Sequence, residues 1–499
     1  MRTFSKSRLL ALRQCPKKLW LEVHRPVLLE YSTETDARLQ IGRQVGEIAR
    51  RIYDRDGNGV LIDVQADGFD RAFERTTELL RTCQPIFEAG FSAGGALTFI
   101  DILLPEKEGD ELAWHMIEVK SSTSVKGYHY DDLVVQAFAV KAAGIPLASI
   151  SLAHIDSSWI FPGSADYRGL LKENDLTAET LSRTNEVNEW IIQAQNIVDQ
   201  PTEPLIQTGS QCLSPFECSF YDYCSRNEPK AEYPVAWLPR FSSAKAEKLA
   251  AQGIDDLRNV PDEWLNGKQL RVKTHTLTGA VFFDAAGAAS DLAVHPLPAC
   301  FLDFETIQFA VPVWKGTRPY QQIPFQFSMH RLDALGQLAH IEFLDLSGNN
   351  PSESFAQSLI AACGEQGPVF VYNAGFEMAR IRELAERFPA LSQPLLAIND
   401  RIVDLLPVAR ERYYHPSQQG SWSIKKVLPA VVPELRYDAL DGVQDGGMAM
   451  NAFLEGIHPD TTPERKTQIE QQLLAYCKLD TYAMVRLWQV FSGWIDRKV

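Results

Sequence analysis

The sequence predicts a multidomain α/β protein, and three observations support this fold class. The chain has 499 residues, more than one domain usually contains, so two or three separate cores are expected. Strand-like apolar runs and helix-period segments alternate in two blocks. Between the blocks, the polar, Pro-containing stretch NEPKAEYPVAWLP is typical of a linker. We therefore predict domains over residues 1–230 and 297–499, joined by a linker over residues 231–296.

Composition and charge limit the possible classes of function. No apolar run approaches the ~20 residues of a membrane span, and the first residues do not resemble a secretory signal. We therefore expect a cytoplasmic protein with no membrane partner. The formal net charge of −15 disfavours nucleic acid as a partner. Residues 1–55, however, contain twelve Lys/Arg and six Asp/Glu, and such a basic segment can bind phosphates. A solvated helix face is the alternative explanation of this segment.

Apolar periodicity predicts the elements of each block. In the first block, helices are expected over about 1–55, 68–83, 131–144 and 178–199, and strands over 96–104 and 114–119. After the linker sequence, residues 240–262 are similar to a helix-hairpin-helix element, with two short helices joined by a Gly turn. In the second block, strands are expected over 299–309 and 368–373, and helices over 376–388 and about 464–495.

Charged side chains interrupt the two apolar strands of the first block. If residues 109–110 form a two-residue hairpin loop, Asp101 lies directly opposite Glu118. Lys120 follows Glu118 by two positions and therefore shares its face of the strand. Two carboxylates on neighbouring strands can hold Mg²⁺, and a lysine beside them can orient an attacking water. A surface hairpin with an ordinary Glu/Lys pair is the alternative.

This arrangement resembles the PD-(D/E)XK nuclease superfamily, and more closely its RecB-like branch. The resemblance rests on TFIDILLP, on MIEVKSST and on Gln136 in DDLVVQAFAV, which matches a downstream Gln motif of the branch. It implies a restriction-endonuclease-like fold, with Asp101, Glu118, Lys120 and Gln136 as catalytic residues. Asp101 and Glu118 would also be metal ligands.

The sequence departs from the RecB-like pattern at two positions. The aromatic residue that usually follows the Gln motif is Val140 here. Many members of the branch carry a His in an early helix, and the corresponding position is Gly46, next to Glu47. Glu88, which opens the strand before Asp101, is the candidate for the missing metal ligand.

Four cysteines are placed differently from the rest: Cys15, Cys212, Cys218 and Cys224. The last three are each separated by five residues, wider than the gaps of ordinary zinc knuckles. One early and three late cysteines around a RecB-like core resemble the iron–sulfur nucleases, which include AddB-type helicase-nucleases and a CRISPR-associated nuclease. The resemblance implies a structural [4Fe–4S] cluster held by four thiolates. Zinc, or four unrelated buried thiols, are the alternatives.

The other cysteines sit singly in apolar or helical surroundings. They are predicted to be core residues, as free cysteines usually are: Cys83, Cys300, Cys363 and Cys477.

The second block contains another group of acids. Asp303 and Glu305 share one face of a predicted strand, and Glu377 begins a predicted helix. Tyr476 and Asp480 are four residues apart and share a helix face. Four acids from a strand and two helices suit two metal ions roughly 4 Å apart, which can bind the two reacting oxygens of a phosphodiester. The alternative is that these acids are a helix cap, an exposed pair and a helix-face ion.

These motifs resemble the DnaQ-like, or DEDD, exonucleases, which have a ribonuclease H-like fold. The resemblance implies that the four acids bind metal and that the tyrosine of YCKLD, Tyr476, is catalytic. The middle motif normally ends in Asp, whereas Glu377 occupies that place here. Asp404 and the segment SIKKVLP also fit the pattern of the family between its middle and last motifs.

Together, the two resemblances predict a fused, metal-dependent nuclease. It would use Mg²⁺ or Mn²⁺ and hydrolyse DNA, at single strands or ends, in repair or defence. An RNA-trimming exonuclease and a nucleic-acid-binding scaffold with a decayed RecB-like site are the alternatives. The chain contains no G-x-x-x-x-G-K-[ST] motif, so unwinding would require a helicase or another partner.

Overall fold

The computed structural model describes residues 2–30, 33–108 and 111–494 of the chain. None of the helices in these ranges is long and apolar enough to cross a membrane.

The chain folds as two compact units that both combine sheets with helices. Unit 1 contains Met1–Pro229 together with Phe309–Tyr320, and unit 2 contains Lys230–Gln308 together with Gln321–Val499. The multidomain α/β class is therefore confirmed. The first segment of unit 1 ends at Pro229, one residue before the predicted end of the first domain at 230. Residues 231–296, which were predicted to be a linker, belong to unit 2.

Unit 1 is built on a mixed sheet. Its strands are β1 (Phe4–Ser5), β2 (Val60–Leu61), β3 (Ile86–Ala93), β4 (Ala96–Glu108), β5 (Glu111–Lys120), β6 (Leu147–Ile155) and β7 (Leu171–Asp175). They lie in the order β2-β3-β4-β5-β6-β7, and β1 pairs with the start of β4. β3, β4 and β5 are antiparallel neighbours, whereas β6 runs parallel to β5. A parallel neighbour requires a crossover, and a helix supplies it here.

The helices of unit 1 cover the sheet. They are α1 (Lys6–Gln14), α2 (Pro16–His24), α3 (Thr33–Tyr53), α4 (Val64–Asp67), α5 (Phe69–Leu79), α6 (Gly127–Ala142), α7 (Thr177–Arg183), α8 (Glu186–Val198) and α9 (Tyr221–Ser225). The crossover helix α6 contributes many fully buried residues to the main core, which also includes side chains from α1 and α8. Val140, at the position of the expected aromatic residue, is one of them.

The register of β4 and β5 agrees with the sequence prediction. Ile102 pairs with Ile117 and Leu103 with Met116, the alignment that places Asp101 opposite Glu118. The proposed loop over 109–110 lies outside the described residues.

Unit 2 contains a second mixed sheet. Its strands are β8 (Phe282–Phe283), β9 (Ala299–Ile307), β10 (Ile323–Leu332), β11 (Leu338–Leu344), β12 (Val369–Val371), β13 (Ile402–Asp404) and β14 (Tyr413–Tyr414). The main sheet has the order β11-β10-β9-β12-β13, and β8 pairs with β14. β9 is antiparallel to β10 and parallel to β12. As a central strand it is apolar on both faces, so its two acids stand in buried surroundings.

The helices of unit 2 are α10 (Ser243–Ala251), α11 (Gly267–Thr278), α12 (Ala285–Ala293), α13 (Ser352–Cys363), α14 (Gly375–Arg387), α15 (Ser392–Asn399), α16 (Leu405–Arg412), α17 (Ile424–Val431), α18 (Gly446–Ile457) and α19 (Pro463–Ser492). The long helix α19 has clear boundaries. Thr462 caps it, Pro463 occupies its first position, and Gly493 ends it in the left-handed conformation. α19 packs on β9 and β10.

Several sequence predictions need correction. Residues 240–262 form α10 and, after the turn at Gly253, only a short 3₁₀ turn over Leu257–Asn259, so the second helix of the expected pair is missing there. The helix expected over 178–199 is divided into α7 and α8. Cys83 is exposed rather than part of the core, because it lies in the turn that follows α5.

Candidate active sites and a four-cysteine site

The acids predicted in the second block come from three elements of unit 2. β9 supplies Asp303 and Glu305, α14 supplies Glu377, and α19 supplies Asp480. Glu305, Glu377 and Asp480 are buried, and Asp303 is partly buried.

One sulfur lies among these acids. A carboxylate oxygen of Asp303, a carboxylate oxygen of Glu305 and the sulfur of Cys477 all lie within 4.8 Å of one another. The thiol of Cys477 is 3.8 Å from both the backbone oxygen and Oδ2 of Asp303. Sequence analysis treated Cys477 only as a core residue, although its position three residues before Asp480 on the same helix could have indicated its place in the site.

Burial raises the pKa of all four acids, and the charges of the others add to the rise for Asp303 and Glu305. Burial and the charges of Asp480, Glu305 and Glu377 raise the pKa of Asp303 well above its ordinary value. Burial and Asp480 raise the pKa of Glu305 to about 8, and burial raises that of Glu377 to about 8. None of the ion pairs within the described residues involves these four acids. The cluster therefore favours a bound cation.

Two tyrosines contact the last acid. The Tyr437 hydroxyl donates a 2.6 Å hydrogen bond to Oδ1 of Asp480. Burial raises the pKa of Asp480 to about 6, and the hydrogen bonds from Tyr437 and Tyr476, with the charge of Lys425, limit the rise. The Lys425 ammonium lies 5.4 Å from the ring centre of Tyr437 and 5.1 Å from that of Tyr476. Sequence analysis missed Tyr437, which lies 43 residues from Asp480.

Asp404 has a role in positioning the helix that carries Glu377. Its carboxylate accepts hydrogen bonds from the backbone N–H groups of Asn373 (2.9 Å) and Ala374 (3.1 Å), immediately before α14. It also caps α16 through the N–H of Leu406. These bonds fix the turn between β12 and α14, the helix that carries Glu377.

In unit 1, the predicted residues on β4, β5 and α6 are brought together. Oδ2 of Asp101 accepts a 2.7 Å hydrogen bond from the backbone N–H of Val119. Glu118 is buried, and its two oxygens accept bonds from Lys120 (2.5 Å) and from the amide of Gln136 (2.7 Å). Burial and the charge of Glu118 raise the pKa of Asp101 well above its ordinary value.

Two further residues of unit 1 share this site, and sequence analysis missed both. The Lys6 ammonium lies 3.1 Å from Glu118 and 2.8 Å from Asp132. Lys120 also forms an ion pair with Asp132. Asp132 precedes Gln136 by one helical turn, so their shared face was a usable signal. Lys6 is distant in sequence, and no local pattern connects it to the site.

An arginine lies near Gly46, the position of the missing His. A Cβ atom added at Gly46 would lie 4.0 Å from Nη1 of Arg50, one turn later on α3. Arg50 forms a 3.7 Å ion pair with Glu88, the proposed replacement ligand. Burial is the main cause of the raised pKa of Glu88, and the charge of Arg50 opposes that rise. Glu88 therefore already has a cationic partner.

The four predicted cysteines line one small cavity of unit 1. Cys15 lies between α1 and α2, and Cys224 lies on α9. The amide of Gln14 donates to the backbone oxygens of Gln211 (2.9 Å) and Phe216 (2.7 Å), which joins the early and late segments. Burial, together with the other thiols, raises the pKa of Cys224 to about 11 and also raises that of Cys218.

The sulfur separations bear on which metal fits. Within the described residues, no three of the four sulfurs lie within 4.8 Å of one another. A single zinc ion with Zn–S bonds of about 2.3 Å would hold its sulfurs roughly 3.8 Å apart. No three of the four thiols therefore meet, within the described residues, the spacing that a single tetrahedral ion imposes.

The folds and sites define an α/β protein with two separate groups of buried acids and a four-thiol site. A family model described as a domain of unknown function, DUF2779, matches residues 300–423. The match includes Asp303, Glu305 and Glu377, and it ends before Asp480. No curated protein matches the chain.

Proposed function

We propose that the protein is a metal-dependent nuclease whose hydrolytic site is the acid cluster of unit 2. One observation carries the proposal: Asp303 and Glu305 lie close together, the charges of Glu377 and Asp480 act on Asp303, and none of the four acids has an ion-pair partner among the described residues. Buried carboxylates are costly unless they are paired or bind a metal. The DnaQ-like resemblance assigns the same four residues to metal binding.

The residues present fit a divalent cation. Oε2 of Glu377 is buried and has no hydrogen-bond partner among the described residues, as expected of an oxygen that receives its partner from outside the chain. Four carboxylates are the ligand type that Mg²⁺ and Mn²⁺ prefer. When bound, such ions activate water and stabilise the charge that develops on a phosphodiester during hydrolysis.

Tyr437 and Tyr476 have different roles in the proposed reaction. Tyr437 fixes the orientation of Asp480 through its hydrogen bond. Burial and the charge of Asp480 raise the pKa of Tyr476, so its phenol stays neutral at pH 7 and cannot act as a base. Tyr476 therefore orients the attacking water, and Lys425, beside both rings, supplies a positive charge near the substrate phosphate.

Unit 1 is proposed to be a RecB-like domain in which built-in cations replace much of the metal charge. Lys6, Lys120 and Arg50 already neutralise Glu118, Asp132 and Glu88. This observation favours the scaffold alternative for unit 1, in which the domain binds nucleic acid and hydrolysis belongs to unit 2. The four cysteines are proposed to hold a structural [4Fe–4S] cluster that joins the early and late segments of the unit.

The substrate is proposed to be DNA, at single strands or ends, with RNA as the alternative. The test is a cleavage panel on single- and double-stranded DNA and RNA labelled at either end, with Mg²⁺ or Mn²⁺. We expect stepwise release of nucleotides that requires the metal. Metal-independent cleavage, or binding of every substrate without cleavage, would contradict the proposed activity.

A further inference from the structure

The sulfur of Cys477 distinguishes the acid cluster from an all-oxygen metal site. Cys477 is fully buried, and its sulfur belongs to the same group of ligand atoms as Asp303 and Glu305. Oxygen ligands suit Mg²⁺ and Mn²⁺, whereas a thiolate favours softer cations such as Zn²⁺. The site therefore contains ligands for two kinds of cation.

The observed separation fits a shared ion. A tetrahedral zinc ion with a Zn–S bond of about 2.3 Å and a Zn–O bond of about 2.1 Å holds sulfur and oxygen roughly 3.6 Å apart. The sulfur of Cys477 is 3.8 Å from Oδ2 of Asp303, so only a small adjustment is needed. A second observation points to a ligand: Oε2 of Glu377 is buried without a partner among the described residues, and the charge of Glu377 acts on both other acids.

We propose that Asp303, Glu305 and Cys477 form a binding site for a thiophilic divalent cation, Zn²⁺, which competes with Mg²⁺ for the same acids. Formation of the metal–sulfur bond releases the thiol proton to solvent, and no oxidant or reductant is involved. The consequence for activity rests on the proposed function: Zn²⁺ inhibits the nuclease by replacing the ion that supports hydrolysis. The binding site itself does not depend on that function.

The test compares the wild-type protein with Cys477→Ser and with Cys363→Ser. Cys363 is a matched control, because it is also buried in unit 2 but its sulfur contacts the sulfur of Met329 at 3.9 Å. Cd²⁺ serves as the probe, since a cadmium–thiolate bond absorbs in the ultraviolet. Equilibrium dialysis counts bound Cd²⁺, and the difference between variants removes any contribution of the four-cysteine site. Cys477→Ala is the second variant if the serine does not fold.

We expect the wild-type protein and Cys363→Ser to bind one more Cd²⁺ than Cys477→Ser, with the corresponding thiolate absorbance. Loss of an outer-shell partner alone usually weakens metal binding about 10–100-fold, so loss of a ligand should raise the inhibitory Zn²⁺ concentration at least about tenfold. Equal Cd²⁺ binding and absorbance in all variants would overturn the inference, even if the nuclease is active. A cadmium difference without any cleavage would support the cation site and refute the nuclease instead.

Discussion

Tyr437 and Asp480 are joined by a buried hydrogen bond of 2.6 Å between the phenol and Oδ1 of the carboxylate. The bond connects a 3₁₀ turn, Tyr437–Ala439, to the middle of α19. Because it engages Oδ1, the bond restrains the orientation of the Asp480 side chain. Outer partners of this kind usually control metal affinity as well as geometry.

The first prediction follows from this bond. Tyr437→Phe should lower the affinity for Mn²⁺ about 10–100-fold, because Asp480 loses the partner that orients it. Electron paramagnetic resonance titration of Mn²⁺ measures the effect. Tyr413→Phe is the control, since the Tyr413 hydroxyl donates to the backbone oxygen of Ala430 at 2.9 Å instead. If Tyr437→Phe and Tyr413→Phe bind Mn²⁺ with the same affinity, the hydrogen bond between Tyr437 and Asp480 does not contribute to metal binding.

The second prediction concerns pH and stability without metal. Glu305 and Glu377 have pKa values of about 8 in the folded chain, above the ordinary value of 4.5. Between pH 4.5 and 8 the folded state therefore holds more protons than the unfolded state, and stability falls as pH rises. The decline should be on the order of a few kcal/mol for each glutamate, since one pKa unit corresponds to about 1.4 kcal/mol.

Thermal unfolding at several pH values checks this prediction. The double variant Glu305→Gln, Glu377→Gln should show a weaker decline, and Mn²⁺ should restore wild-type stability at pH 8. Glu411→Gln, at an exposed position, is the control and should follow the wild type. A wild-type unfolding temperature that rises from pH 5 to 8, with the same slope in the double variant, would contradict the cluster electrostatics.

The third prediction tests the built-in cation of unit 1. Lys6→Ala should destabilise the protein by about 3–5 kcal/mol, because Glu118 and Asp132 lose one of their two ammonium partners. In the Asp303→Asn background, Mn²⁺ should then stabilise Lys6→Ala more than the parent. Arg13→Ala removes a partner of the neighbouring Asp131 from the same helix and is the control. If Mn²⁺ stabilises Lys6→Ala no more than the control, Lys6 does not occupy a cation position.

The fourth prediction concerns the four-cysteine site. Protein purified without oxygen should contain iron and acid-labile sulfide, and Cys218→Ala should lose both and unfold at a lower temperature. Cys83→Ala, at an exposed position, is the control and should retain the wild-type iron content. If the wild-type protein contains stoichiometric zinc and no iron, the iron–sulfur assignment is wrong and the four cysteines form a zinc site.

Local patterns predicted much of the fold and most candidate site residues. The period-2 spacing of Glu118 and Lys120, and of Asp303 and Glu305, marked strand faces that the structure shows. The register that places Asp101 opposite Glu118 depended on a short hairpin, so it was also accessible. β6, β7, β10 and β11 were not predicted, although most of them are apolar or alternating segments.

The residues that were missed depend on contacts between distant parts of the chain. Lys6 reaches Glu118 across 112 positions, and Tyr437 reaches Asp480 across 43. Arg50 lies near Gly46, the position at which the sequence shows only a missing His. Cys477 was treated as an ordinary core residue because helical periodicity shows that a side chain is buried but not what surrounds it. Sequence patterns located the acids, and tertiary packing determined their partners.

The acids of unit 2 are proposed to carry out phosphodiester hydrolysis. The most direct measurement is the release of end-labelled nucleotides from single-stranded DNA at saturating Mn²⁺ by Asp303→Asn and by Lys120→Ala. We predict that Asp303→Asn abolishes nucleotide release and that Lys120→Ala retains it. Circular dichroism should show that both variants are folded. Full activity in Asp303→Asn, with loss in Lys120→Ala, would contradict this account and assign hydrolysis to unit 1.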